Sequence, residues 1–345
     1  QEFWVYQRKM QYKCKECGEE FGSLRSLHAH IKKHDMLLGD YYVKHFQRKD
    51  KLTGELIPFK KYDQYFHTSF LNTSNMRKWC KTAPKEEVES FVIKSIKDKL
   101  TSKKIKAGPP ALYLETSGLP DMEICKEIFG SYSATCEKFG MLPMLSGQLP
   151  KEFNNDFSET PILIDTREQQ PLSFKNSELL KLDVGDYGVS GELYDYTFVD
   201  RKSYQDFGAT VTGGYARFVK ELERCRSLGC FLFIVVECAF DDIHRQNSAS
   251  YKKFNLGYVC HQMRKIQADY SDCCQFVFSG SRDESVTLIP KILVLGKKLW
   301  RVDLQYFWNK KIKKNGLGNR KTETQPRVQR YKHRSFRKRG VFRGN

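Results

Sequence analysis

The chain has 345 residues, 40% of them hydrophobic and 13% aromatic, which is enough for two or three folded units with a sizeable core. Its 59 lysines and arginines against 41 aspartates and glutamates give a formal charge of +18, which predicts a polyanionic partner. No secretory signal stands at the start and no apolar run approaches the ~20 residues of a membrane helix, so we do not expect a secreted or membrane-spanning protein.

Residues 1–38 have the pattern of a Cys2His2 zinc finger. The four ligands expected for a tetrahedral zinc ion are Cys14, Cys17, His30 and His34. So short a unit cannot bury enough apolar surface unaided. Zinc binding, worth an apparent ~10–16 kcal/mol, is therefore expected to fold a ββα finger around Tyr12, Phe21 and Leu27.

The DNA-reading positions of the finger helix fall on small side chains. Positions −1, 3 and 6 are Ser23, Ser26 and Ala29, and Arg25 stands at position 2. A lone finger reads about three base pairs, so we expect an accessory DNA anchor that uses Arg25. A zinc-stapled cap or protein-contact module is the alternative interpretation.

Residues 39–108 form a basic region with aromatic side chains followed by a helical pattern. Aromatic residues between 41 and 85 interleave with lysine and arginine, which suits contacts with phosphates and unstacked bases, although ordinary core aromatics give the same pattern. Apolar residues then recur at helical spacing from Val88 to Leu100, and a linker is predicted at 103–110.

Residues 109–150 predict a small helical unit. Two short helices, over 121–129 and 131–139, are each closed by a glycine, and Asp121 is a candidate N-cap. The run 118–140 resembles the helix-turn-helix repeats associated with homing endonucleases, which implies a DNA-binding unit. A purely structural helical hairpin is the alternative.

Residues 158–308 predict an α/β domain. Its third apolar run is continuous, which is typical of a central strand buried on both faces, and helical patterns lie between the later runs. We therefore expect a mixed sheet flanked by helices. The predicted strands are 161–164, 194–199, 230–237 and 275–278.

Three acidic motifs in this domain point to phosphodiester chemistry. They are Ile164-Asp165-Thr166-Arg167-Glu168, Val184-Gly185-Asp186-Tyr187 and Val199-Asp200-Arg201-Lys202-Ser203. If the strand ends converge, Asp165, Asp186, Asp200 and Lys202 form a catalytic group in which Asp186 and Asp200 bind Mg²⁺ or Mn²⁺. Lys202 follows Asp200 by two residues and so projects from the same face of a strand, where its ammonium can orient water or pair with the scissile phosphate. Charged strand ends are often only solvated, but four such residues together favour a metal-dependent phosphodiesterase.

These motifs resemble the nuclease domain of XPF-type structure-specific endonucleases, a branch of the PD-(D/E)XK superfamily, over roughly residues 160–300. The resemblance implies a restriction-endonuclease-like fold and a metal-dependent DNA endonuclease. Asp200 stands where that family usually has Glu, and Glu221 stands where Gln is common. The stretch 213–218 is similar to the family's G-R-(L/F) helix start, which implies that Arg217 faces the DNA backbone.

Basic residues crowd the end of the chain. From Lys310 to Asn345 there are fourteen lysines and arginines and one acidic residue. Residues 309–345 are therefore predicted to be a disordered arm that binds nucleic-acid backbone, with a localisation signal at 332–339 as the competing interpretation. The DNA contacts expected from the whole sequence are Arg25, Arg167, Arg201, Arg217, Lys310, Lys311, Arg337, Lys338 and Arg339.

Together the modules predict an endonuclease that acts on DNA. No convincing helix-hairpin-helix pair follows the nuclease motifs, so site-directed cleavage of the homing or mobile-element type is expected ahead of repair cleavage of flaps or junctions. A noncatalytic DNA-binding protein that keeps the fold as a scaffold is the alternative from another class. A homodimer or a partner subunit is expected, because one active site cuts only one strand of a duplex.

The cysteines bear on localisation. Eleven cysteines, an odd number, favour a reducing intracellular compartment, in a nucleus or a nucleoid, over a disulfide scaffold. Because the sequence opens at Gln1 rather than at methionine, we expect a processed or partial product.

Overall fold

The computed structural model describes residues 11–314, in which a two-stranded sheet and a run of helices precede a six-stranded sheet. The strands are β1 (Tyr12–Lys13), β2 (Glu20–Phe21), β3 (Ile162–Asp165), β4 (Ser177–Leu180), β5 (Tyr187–Gly188), β6 (Thr197–Lys202), β7 (Phe231–Val236) and β8 (Cys274–Phe278). The helices are α1 (Leu24–Ile31), α2 (Leu38–His45), α3 (Tyr62–His67), α4 (Thr73–Thr82), α5 (Lys85–Ser102), α6 (Ala111–Thr116), α7 (Met122–Phe129), α8 (Tyr132–Glu137), α9 (Tyr204–Val211), α10 (Tyr215–Ser227), α11 (Ile243–Ala249), α12 (Leu256–Asp269), α13 (Arg282–Leu295) and α14 (Leu304–Lys314). None of these helices combines the length and apolar character that a bilayer crossing requires.

The large sheet is mixed and has the order β4-β3-β5-β6-β7-β8. Its centre is antiparallel through the two-residue β5, whereas β4 pairs with β3, and β7 and β8 follow β6, in parallel. The predicted mixed α/β sheet flanked by helices is thereby confirmed. Strand β6 starts three residues later than predicted, after Tyr196, whose left-handed backbone (φ 68°) belongs to the preceding turn. Asp200 and Lys202 consequently lie inside a strand rather than beyond its end.

Apolar side chains cover both faces of this sheet. On one face Phe198 and Leu232 pack in a core with α9, α10 and α12. On the other face Val199 and Phe233 pack in a core with α13 and α14. Every residue of β7 is buried, as its continuous apolar run predicted.

Helix α14 closes the edge of the sheet at β8. The Gln305 side chain accepts a hydrogen bond from the Phe278 backbone N–H (2.6 Å) and donates one to the Phe278 carbonyl (3.4 Å). The Gln275 side chain donates to Val302 O (3.0 Å) and accepts from Leu304 N (2.8 Å). The Gln305 side chain therefore satisfies the backbone groups of Phe278, whereas Gln275 ties the segment before α14 to β8.

The start of the predicted basic arm is helical. Residues 309–314 belong to α14, contrary to the disordered arm expected from residue 309. Trp308 and Leu304 of this helix are buried in the core of the domain, which explains why the helix continues past the predicted boundary. The predictions for Arg337, Lys338 and Arg339, and for the rest of the arm, lie outside the described residues.

Helices α4 to α8 share one core, which the predicted boundary at residue 108 divides. Ile96 of α5 packs in the same cluster as Cys136 of α8 and Tyr306 of α14. The predicted helical hairpin is present, with Asp121 accepting a hydrogen bond from Ile124 N (3.0 Å) at the start of α7 and Gly130 at its end (φ 81°).

An aromatic core joins the first two predicted segments. Tyr41 and Tyr42 of α2 lie in the same cluster as Leu27 and Ile31 of α1, so the predicted boundary after residue 38 also divides a continuous core. The Tyr42 hydroxyl hydrogen-bonds His28 Nε2 at 2.9 Å. The aromatic residues here are core residues, which was the default explanation of their pattern in the sequence.

Candidate active site and metal centre

Pairing of β5 with β6 brings Asp186 to Asp200. The backbone N–H of Asp186 donates to Val199 O (2.8 Å), and the backbone N–H of Arg201 donates to Asp186 Oδ2 (2.8 Å). Gly185 permits this approach, because its φ is +67° and a Cβ on it would lie 2.8 Å from Val199 O. The Val-Gly-Asp motif therefore holds the Asp186 carboxylate against the strand that carries Asp200.

Asp200 and Lys202 project from one face of β6, as their spacing predicted. Lys202 Nζ donates to Asp200 Oδ1 at 2.7 Å, and the Asp200 side chain is 3% exposed. Asp200 Oδ2 is buried, and Asp200 shares a side-chain hydrogen bond with the neighbouring Asp186 carboxyl. Two buried carboxyls this close repel each other when both are ionised, so the pair fits the role of cation ligands.

Negative charge at this site exceeds what Lys202 compensates. Burial and the neighbouring Asp200 carboxylate raise the pKa of Asp186 to about 8, although Lys202 acts against them. Burial would lower the pKa of Lys202, but the Asp200 and Asp186 carboxylates outweigh it and raise that pKa. The donor set of two carboxylates therefore suits a hard divalent cation, which would favour the ionised form of Asp186.

Asp165 lies on the neighbouring strand but is engaged in a different way. Its carboxylate accepts hydrogen bonds from Arg167 N, Nε and Nη2 (2.6 to 2.9 Å) and from Leu182 N (2.7 Å). The side-chain bonds from Arg167, which outweigh the effect of burial, lower the pKa of Asp165 to about 2. Asp165 is thus an ionised anchor for the loop after β3, and its catalytic role remains a prediction. Arg167 stays 61% exposed despite this pairing.

Arg201 is placed differently from the predicted DNA contact. Its side chain is 8% exposed and forms ion pairs with Glu168 (3.1 Å) and Glu237 (2.9 Å). Because it stands between Asp200 and Lys202 on β6, it points to the opposite face of the sheet. Arg201 is a buried structural cation rather than a surface ligand for phosphate.

Helix α10 contributes a carboxylate to which the sequence analysis gave no role. Burial and Asp200 raise the pKa of Glu221, while Lys202 and Arg217 act in the opposite direction, which places Glu221 beside the catalytic group. Arg217 lies one helical turn before it and is exposed, as a phosphate contact would require. The four-residue spacing of Arg217 and Glu221 was the signal that could have identified this pair.

Four side chains of the first 34 residues meet at a second candidate centre. The ligand atoms of Cys14, Cys17, His30 and His34 all lie within 4.8 Å of one another. Cys17 Sγ is 3.1 Å from His30 Nε2, and Cys14 Sγ is 3.6 Å from His34 Nε2. These lengths are close to the edges of a tetrahedron with bonds of about 2.0 to 2.3 Å, the bonds that Zn²⁺ makes to nitrogen and sulfur.

Neighbouring groups prepare these atoms for a metal. Burial would raise the pKa of the Cys14 thiol, but backbone N–H groups of Cys17 and Glu16 outweigh it and lower the pKa, which favours the thiolate that a metal binds. The Glu19 carboxylate lies 3.4 Å from His30 Nδ1, on the side of the ring away from the cluster. The predicted ligands are thus brought together with the two strands and helix expected around them.

The other predicted DNA contacts are dispersed over the surface. Arg25 is exposed on α1. Lys310 forms an ion pair with Glu123 (3.0 Å), and Lys311 Nζ lies 5.5 Å from the Trp308 ring centroid. The structure therefore does not bring these cations to the catalytic group.

Comparison with known proteins identifies the α/β domain. Residues 164–292 match the ERCC4 domain family, and this range includes the three aspartates, Lys202 and Glu221. Two solved structures, XPF from Aeropyrum pernix and XPF from Aeropyrum pernix in complex with DNA, are similar to the chain at 19% and 18% sequence identity, each with a TM-score of 0.30. The similarity covers 39% of this chain and 66% and 63% of those chains, so the chain spans just under two thirds of their length. No curated protein sequence matches the chain. The predicted resemblance to an XPF-type nuclease domain is confirmed for the matched range.

Proposed function

We propose that this chain is a metal-dependent DNA endonuclease whose active centre consists of Asp186, Asp200 and Lys202. The observation that carries the proposal is the buried pair of Asp186 and Asp200 carboxyls beside Lys202, within the range that matches the ERCC4 domain family. Such a group has little use in a scaffold, because burying it without a ligand destabilises the fold.

Each residue of the centre has a separate role in the proposed reaction. Asp186 and Asp200 would hold Mg²⁺ or Mn²⁺, which neutralises phosphate charge and lowers the pKa of a bound water. Lys202, held at 2.7 Å from Asp200, presents an ammonium that orients the attacking water or pairs with a non-bridging phosphate oxygen. Arg217, exposed on the helix that carries Glu221, binds a flanking phosphate and positions the scissile bond.

The substrate is DNA selected by its shape rather than by a long base sequence. The exposed face of α1 carries Ser23, Ser26 and Ala29, which are too small to reach far into a groove. Helix α8 has only six residues, of which Tyr132 and Cys136 are buried. These features weaken the expectation of site-directed cleavage and favour cutting at flaps or junctions, the repair type.

The first 34 residues bind a structural Zn²⁺. The distances among the four ligand atoms and the lowered pKa of the Cys14 thiol support this assignment. In an intracellular, DNA-associated protein this ion would hold α1 against the aromatic core, so that Arg25 serves as an accessory contact.

Cleavage assays with Mg²⁺ or Mn²⁺ test the proposal. The intact chain should nick DNA, and Asp186→Ala and Lys202→Ala should lower the rate by about 10² to 10⁴ while DNA binding survives. Lys298→Ala is a matched control, because that lysine forms an exposed ion pair with Glu152. Binding without cleavage of any substrate would instead favour the noncatalytic DNA-binding protein.

A substrate panel separates the two kinds of endonuclease. A plain duplex, a 5′ flap, a 3′ flap and a four-way junction of the same sequence should be cut at unequal rates, with incisions at the junction. Cleavage of a random duplex library at one recurring sequence would support site-directed cutting instead. Measuring the molecular mass of the protein–DNA complex would show whether two copies or a partner subunit complete double-strand cleavage.

A further inference from the structure

A second group of cations lies where the helical unit meets the α/β domain. It consists of Lys99 and Lys103 of α5 and His261, Arg264 and Lys265 of α12, and is called here the α5–α12 basic group. Its members influence one another: burial, then Arg264 and Lys103, lower the pKa of Lys99. Burial, then Arg264, Lys103, Lys265 and Lys99, lower the pKa of His261. Helix α6 packs against both helices, because its Leu114 shares a core with Leu100 of α5 and its Leu112 shares one with Met263 of α12.

These cations have no acidic counterpart in the fold. Among residues 11–314, no carboxylate forms an ion pair with Lys99, Lys103, Arg264 or Lys265, although seventeen ion pairs occur elsewhere. Crowded like charges destabilise a fold, and an external polyanion would relieve that repulsion. Lys103, His261 and Lys265 are exposed and accessible to such a partner.

The group is fixed to the nuclease domain rather than carried on a loose segment. Arg264 Nη1 donates to Thr116 O at 2.6 Å, and the guanidinium carbon lies 5.9 Å from the Tyr113 ring centroid. Leu112 of the same helix, α6, is part of the sheet core beneath α12. The charges on α5 and α12 therefore keep a constant relation to the active centre.

Helix α10 lies between this group and the active centre. Lys265 Nζ lies 5.4 Å from the ring centroid of Tyr215, the first residue of α10. The same helix carries Arg217 and Glu221 on another face, and Glu221 adjoins Asp200. Helices α10 and α12 both cover the sheet face from which Asp200 projects. The basic group thus lies on the same side of the domain as the active centre.

We infer that the α5–α12 basic group binds the phosphate backbone of duplex DNA on one side of the incision. The inference rests on the proposed endonuclease and deepens it by assigning a contact for the uncut part of the substrate. Lysine and arginine side chains bind phosphates without reading bases, so this surface adds affinity and orientation without sequence preference. The enzyme would accordingly require a minimum length of duplex beside the cut.

Salt-dependent DNA binding tests this contact without relying on cleavage. The double variant Lys103→Glu/Lys265→Glu changes two exposed side chains and should leave thermal unfolding unchanged. Its matched control is Lys81→Glu/Lys97→Glu, two exposed helix lysines with the same change in charge. Lys97 is two residues from Lys99, so it is turned by about 200° to another face of α5.

The readout is fluorescence anisotropy of a labelled 30-base-pair duplex, in EDTA, over a range of KCl concentrations. The slope of log K against log salt should fall by about 1.8 in the double variant, or about 0.9 for each lost phosphate contact. The control should keep the original slope.

The outcomes separate this inference from the proposed function. The inference would be overturned by an unchanged slope in the double variant, by an equal decrease of the slope in the control variant, or by a decrease seen only with duplex RNA. Each of these results would count against it even if the protein cuts DNA. A specific change in slope in a protein that never cuts DNA would support the phosphate contact and overturn the proposed endonuclease.

Discussion

Replacing Arg201 with methionine should destabilise the α/β domain by about 3 to 5 kcal/mol. Arg201 is 8% exposed and donates to Glu237 Oε2 at 2.9 Å and to Glu168 Oε1 at 3.1 Å. Two charge-assisted hydrogen bonds are lost, each worth about 1.5 to 3 kcal/mol, and two carboxylates with at most 10% exposure lose their shared cation. Burial of the apolar methionine side chain restores part of the lost free energy of unfolding.

Urea denaturation followed by tryptophan fluorescence measures the change in the free energy of unfolding. Trp300 and Trp308 both lie in the core of the α/β domain, so their fluorescence reports on its unfolding. Arg245→Met is the matched control. Arg245 pairs with Asp242 at 2.5 Å on the surface, where removal should cost no more than about 0.5 kcal/mol. A loss below about 1 kcal/mol for Arg201→Met at unchanged m-value would refute the buried ion-pair network.

Three further predictions concern the two metal centres. Glu221→Gln should raise the Mg²⁺ concentration for half-maximal cleavage roughly fivefold, since removing a nearby negative charge costs about 1 kcal/mol; an unchanged Mg²⁺ dependence would place Glu221 outside the site. Because the pKa of Asp186 is raised to about 8, Mg²⁺ that binds below pH 8 must displace a proton from this carboxyl. The affinity of the protein for Mg²⁺, measured by calorimetry, should therefore rise up to tenfold per pH unit and level off above pH 8. In EDTA the same raised pKa makes the contribution of Asp186 to stability favourable at low pH and lost as pH rises through 8; Asp186→Asn should remove both dependences. Chelating zinc should abolish hydrogen-exchange protection from residue 12 to residue 71 as one unit, because the finger shares its core with α2 and α3; loss confined to residues 12–34 would contradict this.

The juxtaposition of Asp186, Asp200 and Lys202 was predictable because short sequence motifs determine it. Asp200 and Lys202 are two residues apart on one strand, and period two alone places them on one face. Asp186 followed from its motif, although β5, the two-residue strand that carries it to β6, was not recognised because so short a strand leaves no alternation to detect. Glu221 was given no role, since its approach to Asp200 depends on how α10 packs across the sheet.

Boundaries and burial were harder to predict than motifs. Arg201 has the same local signal as a surface cation, and only its distant partners Glu168 and Glu237 make it structural. The boundaries predicted at residues 38 and 108 follow changes in composition, whereas the cores across them are built from contacts between helices. Whether the finger and the helical hairpin bind DNA stays a prediction, because the fold of such a unit does not determine its partner.

Sealing of the sheet at β8 has a consequence for self-association. Gln305 occupies the backbone N–H and carbonyl of Phe278, so a second copy cannot pair a strand with that residue. At the opposite end, β4 has no outer neighbour among the described strands, and its Leu179 and Leu180 are 68% and 46% exposed. Two copies joined through β4 would make a single twelve-stranded sheet with a β8 strand at each end, where the Gln305 cap opposes further pairing.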